Sequence, residues 1–207
     1  KFYLSSYKIG NEAKKLQEMT QNSNKRVAYI SNALDFSTDV ERRAKSENDD
    51  INDLVNLGLS VEKFDLRDYF NNQETLKENI SMYDVIWVSG GNCFVLRQAM
   101  ALSGFDVLLK NLSESNINIL YGGYSAGICV LTPSLKGLEL VDDATQKPYQ
   151  NQSEVIYEGL GILDYSIAPH YKSDHPESEA INKVVEYYID NKILFKALSD
   201  GEVIIIE

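Results

Sequence analysis

The chain is short of the residues that would mark it as secreted or membrane-bound. It has two cysteines, Cys93 and Cys129, which could pair with each other, but both lie beside tight glycine-containing turns and without an export signal reduced thiols are the default. The opening Lys1-Phe2-Tyr3-Leu4-Ser5-Ser6 lacks the apolar core and cleavage site of a secretory signal and reads as a first strand. No apolar run approaches the ~20 residues that a bilayer span requires. A cytoplasmic, soluble protein is therefore expected, with both thiols small, buried and reduced. Positive charge is scarce as well, with 20 Lys and Arg against 31 Asp and Glu and a formal charge of -11 at pH 7. Nucleic-acid binding depends on basic groups neutralising phosphates, so nucleic acid is excluded as a partner, and an anionic membrane would be repelled. The phosphate-cradling patterns G-x-x-x-x-G-K-[ST] and G-x-G-x-x-G are both missing, which argues against a nucleotide site. No Pro/Gly/Ser-rich linker divides the 207 residues, so residues 1–207 are expected to form one domain that buries roughly 70% of its unfolded surface.

What the chain does have is alternation. Short β-rich runs at Phe2–Ser6, Val27–Ser31, Leu59–Phe64, Val85–Ser89, Ile117–Tyr121, Ser166–Pro169 and Val203–Ile206 are the expected strands. Between them, residues 11–20, 38–57, 73–82, 93–113 and 176–191 have helical periodicity or composition. Strand-helix alternation predicts an α/β fold, a mostly parallel sheet with helices on both faces in three layers. In such sheets the loops at the carboxyl ends of strands build the active site. Two expected strands run there into glycine turns, Gly90-Gly91-Asn92 and Gly122-Gly123. The polar segment 135–160 is expected as an excursion near the same edge.

Gly123-Tyr124-Ser125-Ala126-Gly127 matches G-x-S-x-G between an expected strand and an apolar run, the context of a nucleophile elbow. The bend forces the serine into a strained backbone, and Gly123, Ala126 and Gly127 keep its surroundings small. A serine hydroxyl needs a base, and His170 and His175 are the two candidates. His170 is favoured because it follows an expected strand at its carboxyl end, whereas His175 precedes Pro176 in a polar loop and reads as exposed or as a helix entry. An acid must orient the imidazole. Sequence alone does not choose it: Asp200, in the turn before the last strand, is one candidate, with Glu139, Asp142 and Asp143 as rivals. Backbone N–H groups of Ala126 and of the Gly90-Gly91-Asn92 turn are suited to an oxyanion.

Ser89-Gly90-Gly91-Asn92-Cys93-Phe94, the serine motif and Ala168-Pro169-His170-Tyr171, in this order and spacing, resemble the peptidase E family of serine peptidases, which includes aspartyl dipeptidases and cyanophycinases. The resemblance covers most of residues 80–207. It implies a fold like that of class I glutamine amidotransferases, no metal or organic cofactor, and a small peptide substrate. By motif it implies Ser125 as nucleophile, His170 as base, Gly91 and Ala126 as oxyanion donors, and Asp200 as a position for the acid, with Glu139 and Asp142 still open. Aspartyl dipeptidases of the family hold the substrate's Asp side chain with an arginine beyond the histidine. Here Lys172–Tyr188 contains Lys172 and Lys183 but no arginine, and carries Asp174, Glu177 and Glu179, which puts a strict Asp-X preference in doubt. A non-catalytic binding or regulatory domain on the same scaffold is the alternative; an α/β-hydrolase esterase is disfavoured by the order of its acid and histidine. The oligomeric state, a homodimer included, stays open.

Overall fold

A computed structural model describes residues 1–70, 72–114, 119–150 and 154–207. Strand β1 (Phe2–Ser5) leads through α1 (Ala13–Thr20) to β2 (Arg26–Ile30), then α2 (Val40–Asn56), β3 (Ser60–Lys63), α3 (Gln73–Ile80) and β4 (Val85–Val88). Helices α4 (Cys93–Ser103) and α5 (Phe105–Glu114) precede β5 (Leu120–Tyr124) and a one-turn helix α6 (Ala126–Cys129). The chain closes with β6 (Ser166–Ala168), α7 (Ser178–Asp190), β7 (Phe195–Ala197) and β8 (Val203–Ile206). The main sheet has the order β3-β2-β4-β5-β1-β8, parallel throughout except for β8, which runs antiparallel to β1. Strands β6 and β7 form a separate parallel pair.

Side-chain alternation along the strands sets the layers. Val27 and Tyr29 of β2 and Val85 and Trp87 of β4 share one core with Leu16 of α1 and Leu54 of α2. Their neighbours Ala28, Ile30, Ile86 and Val88 share the other with Leu76 of α3, Met100 of α4 and Leu109 of α5. A sheet that is apolar on both faces is stable only when both are covered, and the expected three-layer α/β architecture results. Among the described residues no helix is long and apolar enough to cross a membrane.

Three local features differ from the sequence reading. The stretch 93–113 is two helices, because Gly104 adopts a left-handed φ of 76° that ends α4. The glycine pair Gly122-Gly123 lies inside β5 rather than in a turn. The Trp87 ring of β4 covers that point, and a Cβ on Gly122 would stand 2.5 Å from its Cε3, so the glycines answer to a neighbour and not to a bend. Residues 117 and 118 of the expected strand lie outside the described residues. Strand β7 has no counterpart in the sequence reading, since three residues are too short to show a period.

Candidate active site

The sheet register brings the carboxyl ends of the parallel strands to one edge. Ser5 pairs with Tyr124, and Val88 with Gly123, so Ser6, Ser89 and Ser125 all leave the sheet at that edge. Because β8 is antiparallel and its Val203 pairs with Ser5, the turn before it reaches the same place. The β6–β7 pair adds the rest. Ala168 pairs with Ala197, and the ladder continues as Leu198 N–H donates to Ala168 O at 2.9 Å and Tyr171 N–H to Leu198 O at 2.9 Å. His170 and Asp200 are thereby carried side by side.

Ser125 is the N-cap of α6 with φ 49° and ψ -117°, and His170 also has a positive φ of 60°. Non-glycine residues in this region are strained, and such strain concentrates at functional sites. His170 Nδ1 and Asp200 Oδ1 are 2.7 Å apart, with the ring 1% exposed. Ser6 ties both halves together: its carbonyl accepts the Ser125 N–H at 3.2 Å, and its hydroxyl oxygen accepts the His170 N–H at 2.9 Å and lies 3.0 Å from Asp200 Oδ1. Asp200 N–H in turn donates to Ser173 Oγ at 2.7 Å. The serine and histidine therefore share one edge and one bridging residue. Among the described residues the Ser125 hydroxyl makes no hydrogen bond to the His170 ring; in substrate-free sites such contacts are often loose.

The other expected acids are engaged elsewhere. Asp142 accepts the Cys93 N–H at 2.8 Å, Glu139 accepts the Gly137 N–H at 2.6 Å, and Asp143 accepts from Thr145. Gly91 has φ 138°, and a Cβ there would stand 2.5 Å from Ala33 O, so only glycine fits this turn. Asn92 N–H holds the turn by donating to Ala33 O at 2.9 Å, and the Asn92 side chain caps α4 through Phe94 and Val95 N–H. No partner among the described residues takes the N–H of Gly91 or Ala126.

His175 is not the exposed loop residue that its sequence context suggests. Its ring stacks on that of His170 at 3.7 Å between centroids and 7° between planes, while Tyr7 packs edge-on against both. Burial, then the neighbouring His175, hold His170 below its ordinary value against the pull of Asp200. Glu177, 3.9 Å from His170 Nε2, is pushed up by burial and by Asp142. A narrow cleft beside Ser125 is lined by Ala126, Leu138, Asp142, Pro169, Glu177 and Ile181, among others. Sequence reasoning passed over Ser6 and Tyr7 as site residues and noted Glu177 only as one of the acids beyond the histidine. Of the first two, Ser6 alone left a trace, as the residue that follows the first strand at its carboxyl end. His170, His175 and Glu177 also offer ligand atoms within 4.8 Å of one another, the one such metal-capable group among the described residues. Lone pairs of two stacked, parallel rings lie in parallel planes and do not converge, so a metal ion would require a ring to turn. Cys93 and Cys129 are free and buried.

A doubly covered parallel sheet whose edge presents a strained serine at a helix start and a histidine held by an aspartate is the arrangement of the serine hydrolases, the class that includes the serine peptidases. The comparisons with known proteins reach the family: the model of peptidase family S51 matches residues 5–207, and the chain belongs to that family, the peptidase E family. An uncharacterized peptidase of Listeria monocytogenes is 32% identical over 153 residues, covering 74% of this chain and 70% of that protein. One from Listeria innocua is 29% identical over 155 residues, covering 74% and 68%. The crystal structure of a putative peptidase E protein from Listeria monocytogenes superposes with a TM-score of 0.73 at 26% identity, over 99% of this chain and 93% of that one.

Proposed function

We propose that this peptidase hydrolyses short peptides through an acyl-enzyme formed on Ser125. His170 takes the hydroxyl proton and later returns one to the leaving amine, and Asp200 keeps the imidazole in the tautomer with its free nitrogen toward the cleft. The N–H groups of Gly91 and Ala126 receive the oxyanion. Water then cleaves the ester by the same route in reverse. The observation that carries this reading is the bridge through Ser6, which joins the backbones of Ser125 and His170 while His170 Nδ1 lies 2.7 Å from Asp200. The family match over residues 5–207 and two cores sharing one sheet support a single catalytic domain. Two free buried thiols suit the reducing cytoplasm.

The cleft also supports a substrate without an acidic first residue. Among the described residues its lining includes the carboxyl groups of Asp142 and Glu177 and no lysine or arginine. Lys183 sits 3.7 Å from Glu179 on α7, and Lys172 lies over the Tyr171 ring at 5.0 Å. A fluorophosphonate probe and a dipeptide library test the proposal together. The wild-type chain is expected to be labelled and to turn over dipeptides, and Ser125→Ala to do neither. Labelling that survives Ser125→Ala, or saturable ligand binding with no turnover, would overturn it and favour a binding domain.

A further inference from the structure

Behind the glycine turn lies a buried polar network that the reaction above does not use. Asp50, on α2, has a side chain only 1% exposed, yet accepts the hydroxyls of Tyr29 at 2.8 Å and Tyr124 at 2.7 Å. The Lys8 ammonium, from the loop after β1, pairs with its other oxygen. The Ser89 hydroxyl, beside this network on β4's exit, donates to Gly90 O at 3.2 Å. Both phenols are pushed up by burial and then by Asp50, so they stay protonated donors over the working pH range. The ring of Tyr124 also fills the space against the turn: a Cβ on Gly90 would stand 2.7 Å from Tyr124 Cε2 and 3.1 Å from Ser125 Cβ.

A carboxylate this deep is a poor way to gain stability, because well-packed apolar side chains of the same volume do as well or better. Its partners give it another use. Tyr124 immediately precedes the serine on β5, and Gly90 immediately precedes Gly91 on the turn after β4. The phenol thus touches the elbow through the chain and the oxyanion turn through space. We infer that Asp50 and Tyr124 are positioning residues for the oxyanion donors: Asp50 holds the phenol, the phenol holds Gly90, and Gly90 sets the Gly91 N–H against Ser125. Lys8 supplies the countercharge to Asp50. This rests on the acyl-enzyme reading, and it concerns the transition state rather than the ground state, since only there does negative charge appear at these donors.

The test is the rate of fluorophosphonate labelling of the full chain, resolved into the maximal inactivation rate and the probe's half-saturating concentration. Tyr124→Phe keeps the ring against Gly90 and removes the hydroxyl. Its maximal rate is expected to fall about 10- to 100-fold, the scale of a small misplacement of catalytic groups, with half-saturation nearly unchanged. Asp50→Asn, which keeps the shape and the oxygen that accepts both phenols but turns an amide NH2 toward the Lys8 ammonium, is expected to fall between Tyr124→Phe and wild type, and it carries the same test should Tyr124→Phe fail to fold. A lower melting temperature with a wild-type maximal rate in either folded variant would overturn the inference and leave the network a purely structural one. Absence of labelling in the wild-type protein would instead defeat the acyl-enzyme reading, and this inference with it.

Discussion

Asp200 and Ser6 carry the strongest expectations for single side chains. Asp200→Asn keeps the volume beside His170 but no longer fixes the productive tautomer, so turnover is expected to fall by about 10⁴ while Asp142→Asn, whose carboxyl serves Cys93 N–H, costs far less. Steady-state rates of both variants against one dipeptide decide the matter. Ser6→Ala strips the His170 N–H of its acceptor in a buried place and is expected to lower stability by about 1–3 kcal/mol, read by denaturant unfolding, together with the labelling rate. The histidine itself predicts the pH dependence. Its folded value lies below the ordinary 6.5, so the neutral base persists to lower pH, and the acid limb of kcat/KM falls below 6.5. The same shift makes its stability contribution complete above pH 6.5 and progressively lost as pH falls through the folded value. His175→Phe keeps a stacked ring but removes the repulsion, while Asp200 and Glu177 still face the imidazole, so the acid limb should move up; a pH profile that stays put would contradict it.

At the level of elements, the site depends on how closely β4 and β5 approach. Gly122→Ala would press a methyl into the Trp87 ring across the sheet, and an overpacking cost of about 1–3 kcal/mol is expected in thermal unfolding, with labelling of Ser125 slowed because the elbow rides on the same strand. Unchanged stability would mean that the Trp87 ring has room to move. This part of the fold was half visible in the sequence. The strained bend at Ser125 could be read because glycines flanking a serine after an apolar strand have one main steric explanation. The strand before it runs on to Tyr124 where the sequence points to an end at Tyr121, because a glycine pair inside a strand and a glycine pair in a turn look alike until the neighbouring tryptophan is known. The break at Gly104 was missed for the same kind of reason, since a single glycine interrupts helical periodicity only weakly.

Over the whole molecule, the charge of -11 and the two cleft carboxyls act in the same direction. Dipeptides with a basic first residue are expected to outperform acidic ones in kcat/KM, and the ratio should shrink as salt rises from about 0.02 to 0.5 M and the screening length drops to a few ångströms. A salt-independent ratio would assign the preference to contact alone. Much of this protein is local chemistry, and that much the sequence determined by itself: alternating elements, an apolar sheet, a strained serine and a histidine at a strand end. The placing of Asp200 against the His170 ring and of Asp142 against Cys93 N–H, the stacking of His175 and the bridging by Ser6 came only with the tertiary structure. They depend on β6 and β7 pairing in one register and on β8 running against β1, and pairing between distant segments leaves no periodicity in either one.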